Sequence, residues 1–296
     1  MYKPSYIDLL NTGELKKRAR TAYDILNSCH CCPHDCKVDR IHGELGICAS
    51  GHLPVVSTYT PHFGEEPGLS GNRGAGNIFF GNCNLKCVYC QNHEISQNYH
   101  SEKNHTVSFE RLADIMLELQ EKGCHNIGLV SPTHFSAQIL QSIQIAAEKG
   151  LNLPIIYNTN GYDSVEMLKL YDGVIDIYLP DLKYGNNEFA KEYSKIDNYF
   201  EKAKAAIKEI FSQVGDELQY IAPLHESDDS MSRRPAPLSN KGEEEVFANS
   251  NLIRIYRIAF YILPLFTIFY HLFFEFLEKD LRVNIFIRCS IGKSGF

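Results

Sequence analysis

The chain has 296 residues, 44% hydrophobic and 22% charged, the balance of an ordinary globular protein that buries a core. Disordered, collagen-like and small disulfide-scaffold classes are excluded, because ten cysteines over this length are too dilute to hold a fold by bridges. With 29 Lys+Arg against 36 Asp+Glu the formal charge is −7, which leaves no basic surplus for a phosphate backbone and removes nucleic acid as a partner.

The amino end, MYKPSYIDLLNTGELKKRAR, lacks the apolar core and small-residue cleavage site of a secretory signal, so a cytoplasmic location is expected. Residues 13 to 28 place Leu15, Ala19, Ala22, Tyr23 and Leu26 at helical spacing and predict an amphipathic packing helix. LPVVSTYT reads as a strand. HFGEEPGLSGNRGAG follows as a loop whose glycines feed another strand instead of opening a helix, so it is no dinucleotide cradle. Strand-like NIFFG, HNIGLV, PIIYN and VIDIYL then alternate with helix-like SFERLADIMLELQEKG, SAQILQSIQIAAEKG and DSVEMLKLY, and one long helical stretch runs from Asn187 to Val214. This rhythm predicts an α/β fold with four βα units and a parallel sheet, whose ligands lie beyond the strands' carboxyl ends, after Phe80, Val130, Tyr157 and Leu179.

Three segments are expected: a cysteine-rich metal-binding one at 1–52, the β/α part at 53–216, and an atypical tail at 217–296. In the tail the apolar run 258–274 carries Pro264 and is short for a membrane span, so membrane contact is not favoured over a poorly packed carboxyl end.

Cysteines in a reducing compartment are more often ligands than bridges, and seven of the ten here fall in two short stretches. Cys83, Cys87 and Cys90 form C-x3-C-x2-C just after the first strand of the alternating region. Three thiolates on one loop can each take one iron of a 4Fe–4S cube and leave the fourth iron open to a substrate or cofactor. The alternatives are a structural zinc loop, or a ferredoxin-like cluster completed by Cys124 or Cys289. Upstream, Cys29, Cys32, Cys36 and Cys48 give C-x2-C-x3-C-x11-C when Cys31 is set aside, a closed site that suits zinc and an auxiliary iron–sulfur cluster equally, with His30, His34 and His42 nearby. Cys31, Cys124 and Cys289 need no special role. His62, His93 and His134 read as hydrogen-bonding loop residues, Glu65 and Glu66 as exposed carboxylates, and no general acid or base is assigned.

The three-cysteine loop at the end of a strand resembles the radical S-adenosylmethionine superfamily. The segments around His62–Pro67, Cys90–Gln97, Ser131–His134, Tyr157–Tyr162 and Asp176–Tyr184 are similar to a branch related to the pyruvate formate-lyase activating enzyme, over about residues 29 to 216. The resemblance implies a partial (β/α) barrel and a 4Fe–4S cluster that binds S-adenosylmethionine. It implies reductive cleavage to a 5′-deoxyadenosyl radical that abstracts hydrogen, with flavodoxin or ferredoxin as electron donor and a protein or small molecule as substrate. It puts Tyr89 near the adenine. Ser131 and Thr133 fall where the family has a glycine-rich run, which leaves them a backbone role, and Asn158 replaces an aspartate. Asp181 and Lys183 match an acidic-x-lysine pair whose lysine meets the cofactor carboxylate, against the plainer reading of a surface ion pair. Two other readings stand beside this one. The chain is a non-enzymatic metalloprotein, or it is an inactive copy whose divergent tail leaves a sheet edge unpaired.

Overall fold

The computed structural model describes residues 3–65 and 67–215 together with a two-residue strand at 252–253. Along the chain come α1 (Tyr6–Asn11), α2 (Glu14–Asp24), β1 (Val56–His62), α3 (Pro67–Ser70), β2 (Ala75–Phe80), α4 (His93–Ser96) and α5 (Tyr99–Glu102). There follow α6 (Phe109–Glu121), β3 (Ile127–Val130), α7 (Ser136–Glu148), β4 (Ile155–Thr159), α8 (Val165–Leu170), β5 (Ile177–Pro180), α9 (Asn187–Ser194), α10 (Tyr199–Val214) and β6 (Leu252–Ile253). The strands lie in the order β1-β2-β3-β4-β5-β6. β1 pairs antiparallel with β2, and every later pair is parallel. This is the expected α/β architecture, a partial β/α fold behind a cysteine-rich amino-terminal segment.

Local chemistry sets the element ends. Ser108 caps α6 by accepting from Arg111 N at 3.1 Å, and Asn186 caps α9 by accepting from Phe189 N at 2.9 Å. In α6, Leu112, Ile115, Met116 and Leu119 recur at helical spacing and are all buried. Because side chains alternate along a strand, β2 to β5 send Ile78, Phe80, Ile127, Leu129, Ile155, Tyr157 and Tyr178 into the main core, shared with residues of α2, α6, α7 and α10. The opposite face carries two cross-strand rows, Asn77-Gly128-Ile156-Ile177 and Phe79-Val130-Asn158-Leu179, and a small cluster of Leu69, Ile156, Ile177 and Leu179. Helices α6, α7 and α10 cover the first face, and Leu69 of α3 packs on the second.

The structure corrects three expectations. The single long helix is two, α9 and α10, because Lys195 takes a left-handed conformation at φ 59° and turns the chain. The helix from residue 13 stops at Asp24 and tightens into a 3₁₀ turn over Ile25–Ser28. The edges of the four parallel strands are not both bare, since β1 covers β2, and β6 pairs with Ile177 and Tyr178 of β5. The apolar run 258–274 lies outside the described residues, among which no helix is long and apolar enough to cross a membrane.

Candidate metal and cofactor site

The loop after β2 carries Cys83, Cys87 and Cys90, and its path is fixed from several sides. Gly81 N donates to Val55 O at 3.0 Å, and a Cβ at Gly81 would stand 2.6 Å from Glu102 Oε2 and 2.7 Å from Val55 Cγ1, so only glycine fits there. Asn82 and Lys86 take positive φ, 64° and 50°, which curls the loop. Val88 N donates to Tyr193 O at 3.0 Å and Gln97 Nε2 to Cys87 O at 2.8 Å.

Donors converge on the sulfurs. Leu85 N lies 3.3 Å and Asn160 Nδ2 3.6 Å from Cys83 Sγ, and Ser96 Oγ lies 3.2 Å from Cys90 Sγ. Burial pushes the Cys83 thiol up, while the Lys86 and Leu85 amides pull it back toward the thiolate. The same Asn160 Nδ2 donates to Asn84 Oδ1 at 2.9 Å, and Asn84 Nδ2 donates to Tyr162 O at 2.9 Å. The cysteine loop is thus zipped to the end of β4.

The strand ends bring the other expected residues to this mouth. Asp181 and Lys183 pair at 2.6 Å with side chains 17% and 24% exposed, so they are a half-buried pair and not a surface one. Burial would lower the Lys183 ammonium pKa, but Asp181 and then the Cys87 and Cys83 thiols outweigh it and raise it, which keeps the lysine charged beside the cluster loop. Tyr199 from α10 latches this segment: its hydroxyl accepts from Lys183 N at 2.7 Å and donates to Asn160 O at 2.7 Å. Tyr89 packs edge-on against Tyr184 and Tyr193, with its hydroxyl 3.4 Å from Lys183 O. Ser131 sits at φ 57°, a conformation native to glycine, and its N–H donates to Asn158 O at 2.9 Å. Asn158 lies on the sheet face opposite the main core, in register with Val130 and Leu179.

Thr133 is different. Its hydroxyl is spent on a buried carboxylate, Asp163, at 2.7 Å; Asp163 also accepts from Thr159 Oγ1 at 2.5 Å and Tyr157 OH at 3.1 Å. Only its backbone is left for a ligand. Asp163, Asn160, Asn84 and Tyr199 escaped sequence reasoning, although Asn160 lies inside the Tyr157–Tyr162 motif, the one signal that could have flagged it. His134 is buried and donates from Nε2 to Gly81 O at 2.8 Å; burial drives its pKa to about 3, so it stays neutral at physiological pH. Glu65 is not simply exposed: its Oε1 accepts from Asn77 Nδ2 at 3.0 Å on the sheet face opposite the main core.

The upstream cysteines gather as well. Cys29, Cys31, Cys32, Cys36 and Cys48 line one cavity with His34, Asp35, Val38, Arg40, Gly46 and His134. His34 Nε2 donates to Asn84 O at 2.7 Å, so this segment rests directly on the Cys83 loop. The nine cysteines of the described residues are all free thiols. Among the described residues, no group of three or more His, Cys, Asp or Glu side chains is arranged to hold a metal ion as it stands.

A parallel β/α sheet with three thiols on the loop after its first parallel strand is the arrangement of a metal- or cluster-binding β/α protein. The family model described as the Radical SAM superfamily matches residues 77–231, just over half of the chain, and the chain belongs to that superfamily. The family brings a 4Fe–4S cluster and S-adenosylmethionine, and its domain is that of a radical enzyme. The donor set fits: three soft thiols on one loop, with N–H groups already directed at Cys83 Sγ and a cation, Lys183, close by. The chain is also 35% identical over 208 residues to an uncharacterized protein of Methanocaldococcus jannaschii, an alignment covering 68% of this chain and 56% of that relative. It spans little more than half the relative's length.

Proposed function

We propose that this protein is a radical S-adenosylmethionine enzyme of the activating-enzyme kind, with Cys83, Cys87 and Cys90 holding the cluster. When bound, cluster and cofactor together supply reductive cleavage of S-adenosylmethionine to a 5′-deoxyadenosyl radical that abstracts hydrogen from a substrate. The observation that carries this reading is the meeting, at the strands' carboxyl ends, of the three-thiol loop after β2 with the charged Lys183 after β5.

The chain's own groups have separate tasks. Lys183, held by Asp181 and by Tyr199, presents a fixed ammonium to the cofactor carboxylate. The Asn160 amide donates to Cys83 Sγ and steadies its charge. Ser131, whose N–H is taken by Asn158 O, offers its carbonyl at a turn that a Cβ would normally disfavour, and Asn158 offers its amide from the sheet face. Tyr89, wedged among Tyr184 and Tyr193, gives an apolar wall for the adenine. Leu69, Ile156, Ile177 and Leu179 keep the neighbouring sheet face dry, as radical chemistry requires. Flavodoxin or ferredoxin delivers the electron. The resemblance makes a glycine-containing polypeptide the first substrate to offer.

Anaerobic reconstitution with iron and sulfide, followed by dithionite reduction, tests the reading. Addition of S-adenosylmethionine should change the EPR signal of the reduced cluster, and 5′-deoxyadenosine should accumulate. An unchanged signal with no 5′-deoxyadenosine from a fully loaded protein would establish a non-enzymatic metalloprotein instead.

A further inference from the structure

Arg40 is the largest fully buried side chain of the described residues, at 0% exposure. Its Nε and Nη2 donate to Gly51 O at 3.0 and 2.6 Å, and its Nη1 donates to His134 O at 2.8 Å. None of these partners carries charge. Nη1 also points at Cys29 Sγ, 3.7 Å away, and the guanidinium lies over the Phe135 ring at 5.8 Å. A guanidinium taken out of water without a counter-charge costs several kcal/mol. Five of the residues lining the cavity beside it are cysteines, which supply negative charge when deprotonated.

The backbone prepares that lining. Cys29 N donates to Val38 O at 2.9 Å and Lys37 N to Cys29 O at 3.0 Å, pairing the two arms of a tight turn. Within the turn Asp35 N donates to Cys32 O at 3.1 Å, with Asp35 and Lys37 at φ 48° and 57°. A second turn, closed by Ala49 N to Gly46 O at 2.9 Å, carries Cys48. The turns meet where Gly46 abuts Cys36: a Cβ at residue 46 would stand 2.9 Å from Cys36 Sγ. Two opposed turns thus bring cysteines to one buried space, and a metal would have to draw their sulfurs together, since they do not already surround a common point.

We propose that Cys29, Cys32, Cys36 and Cys48 hold a second metal centre, all-thiolate and separate from the Cys83 loop, with Arg40 as its buried counter-cation. Each thiol gives up its proton on binding. Four thiolates around Zn²⁺, or around an oxidised 4Fe–4S core of the same charge, leave two excess negative charges, and Arg40 offsets one of them. Cys31, the fifth thiol of the cavity, is spare. The proposal goes beyond the radical reading and does not depend on it.

The test uses the full-length chain with Cys83, Cys87 and Cys90 all replaced by alanine, so that metal at the first site cannot contribute. Offered zinc, or ferrous iron with sulfide, this variant should retain one zinc ion, or iron with matching sulfide, per chain by elemental analysis. Which metal is retained separates a structural from a redox centre. Further replacement of Cys32 by serine should abolish the metal, and Cys31→Ser should leave it. Arg40→Lys should keep at least half of the metal and Arg40→Met should lose at least tenfold in affinity. A packing role alone would make these two alike. A folded triple variant with no metal, retention in the presence of Cys32→Ser, or equal effects of Arg40→Lys and Arg40→Met would overturn the proposal. Should the triple variant fail to fold, alkylation of the wild type decides. The peptides bearing Cys29, Cys32, Cys36 and Cys48 should be protected until a strong chelator is added, and immediate labelling would overturn the site.

Discussion

Replacing Asp163 by alanine strikes the network that joins the ends of β3 and β4 beneath the candidate site. The carboxylate accepts from Thr133 Oγ1 and Tyr157 OH on one oxygen and from Thr159 Oγ1 on the other. With Asp163 gone, the two threonine hydroxyls, 3.1 Å apart, can answer each other. Tyr157 and one remaining donor cannot be satisfied inside the core. Each orphaned buried group costs about 1–3 kcal/mol, so Asp163→Ala should lose about 2–6 kcal/mol. That is a large part of the roughly 5–15 kcal/mol that keeps a typical domain folded. At about 2–4 °C per kcal/mol for a domain of this size, the melting temperature should fall by roughly 5–20 °C.

Asp163→Asn keeps an acceptor for Thr133 and Tyr157, and Thr159 can rotate to accept from the new amide, so the cost should stay near 1 kcal/mol. The two variants also differ in pH response. Burial raises the Asp163 pKa above that of an unfolded carboxylate. Its contribution is therefore complete below the unfolded value of about 4 and is lost as pH rises through the higher folded value. Asp163→Asn should lack that loss. Urea unfolding of the metal-free protein from pH 4 to 8, followed by circular dichroism, measures both effects. The reasoning is refuted if Asp163→Ala stays within 1 kcal/mol of wild type, if Asp163→Asn costs as much, or if the pH slopes of wild type and Asp163→Asn coincide.

Asn160→Ala removes a donor from Cys83 Sγ, and a hydrogen bond worth about 1 kcal/mol corresponds to about 40 mV in a one-electron couple. The potential of the reconstituted cluster should become more negative by that order in an EPR-monitored redox titration; no shift would show that the amide serves only to hold Asn84. Lys183→Met should weaken S-adenosylmethionine binding about tenfold or more, a loss of about 1.4 kcal/mol, while cluster content stays the same. Calorimetry on the loaded protein reads this, and unchanged affinity would remove Lys183 from the site. Gly81→Ala forces a Cβ against Glu102 and Val55 and should cost about 1–3 kcal/mol in urea unfolding; a neutral result would mean that the loop end yields. His134, whose pKa burial lowers to about 3, should make the fold lose stability as pH falls from about 6.5, the unfolded value, toward 3. His134→Gln should lack that part of the acid loss, and NMR should show no protonation of the ring between pH 5 and 8.

Much of the site was legible because its signals are local. The C-x3-C-x2-C spacing needs one loop, and the strands β2 to β5 are short apolar runs between turn residues, so both could be read from the linear chain. The amphipathic spacing of α6 marked its buried face in the same way. What failed was local as well where a single backbone angle decided the outcome: nothing in Glu192–Asp197 announces that Lys195 turns left-handed and cuts one helix into two.

The residues that escaped are those whose meaning comes from distant partners. Asn160 touches Cys83 across 77 positions and Arg40 meets His134 across 94, and no periodicity encodes such pairs. Arg40 in sequence is an ordinary basic residue after a cysteine run; only the fold shows that it is fully buried in a cavity lined by five cysteines. Asp181 and Lys183 read equally as a solvated pair and a cofactor clamp in the sequence, and the fold removes only the first reading by half-burying them. The sequence by itself determined the cysteine spacing of the candidate ligands and the β/α rhythm, because sulfur spacing and hydrophobic period are properties of neighbours along the chain. Only the tertiary structure decided which polar groups lose their water together, and that shared loss of solvent is what makes their charges matter.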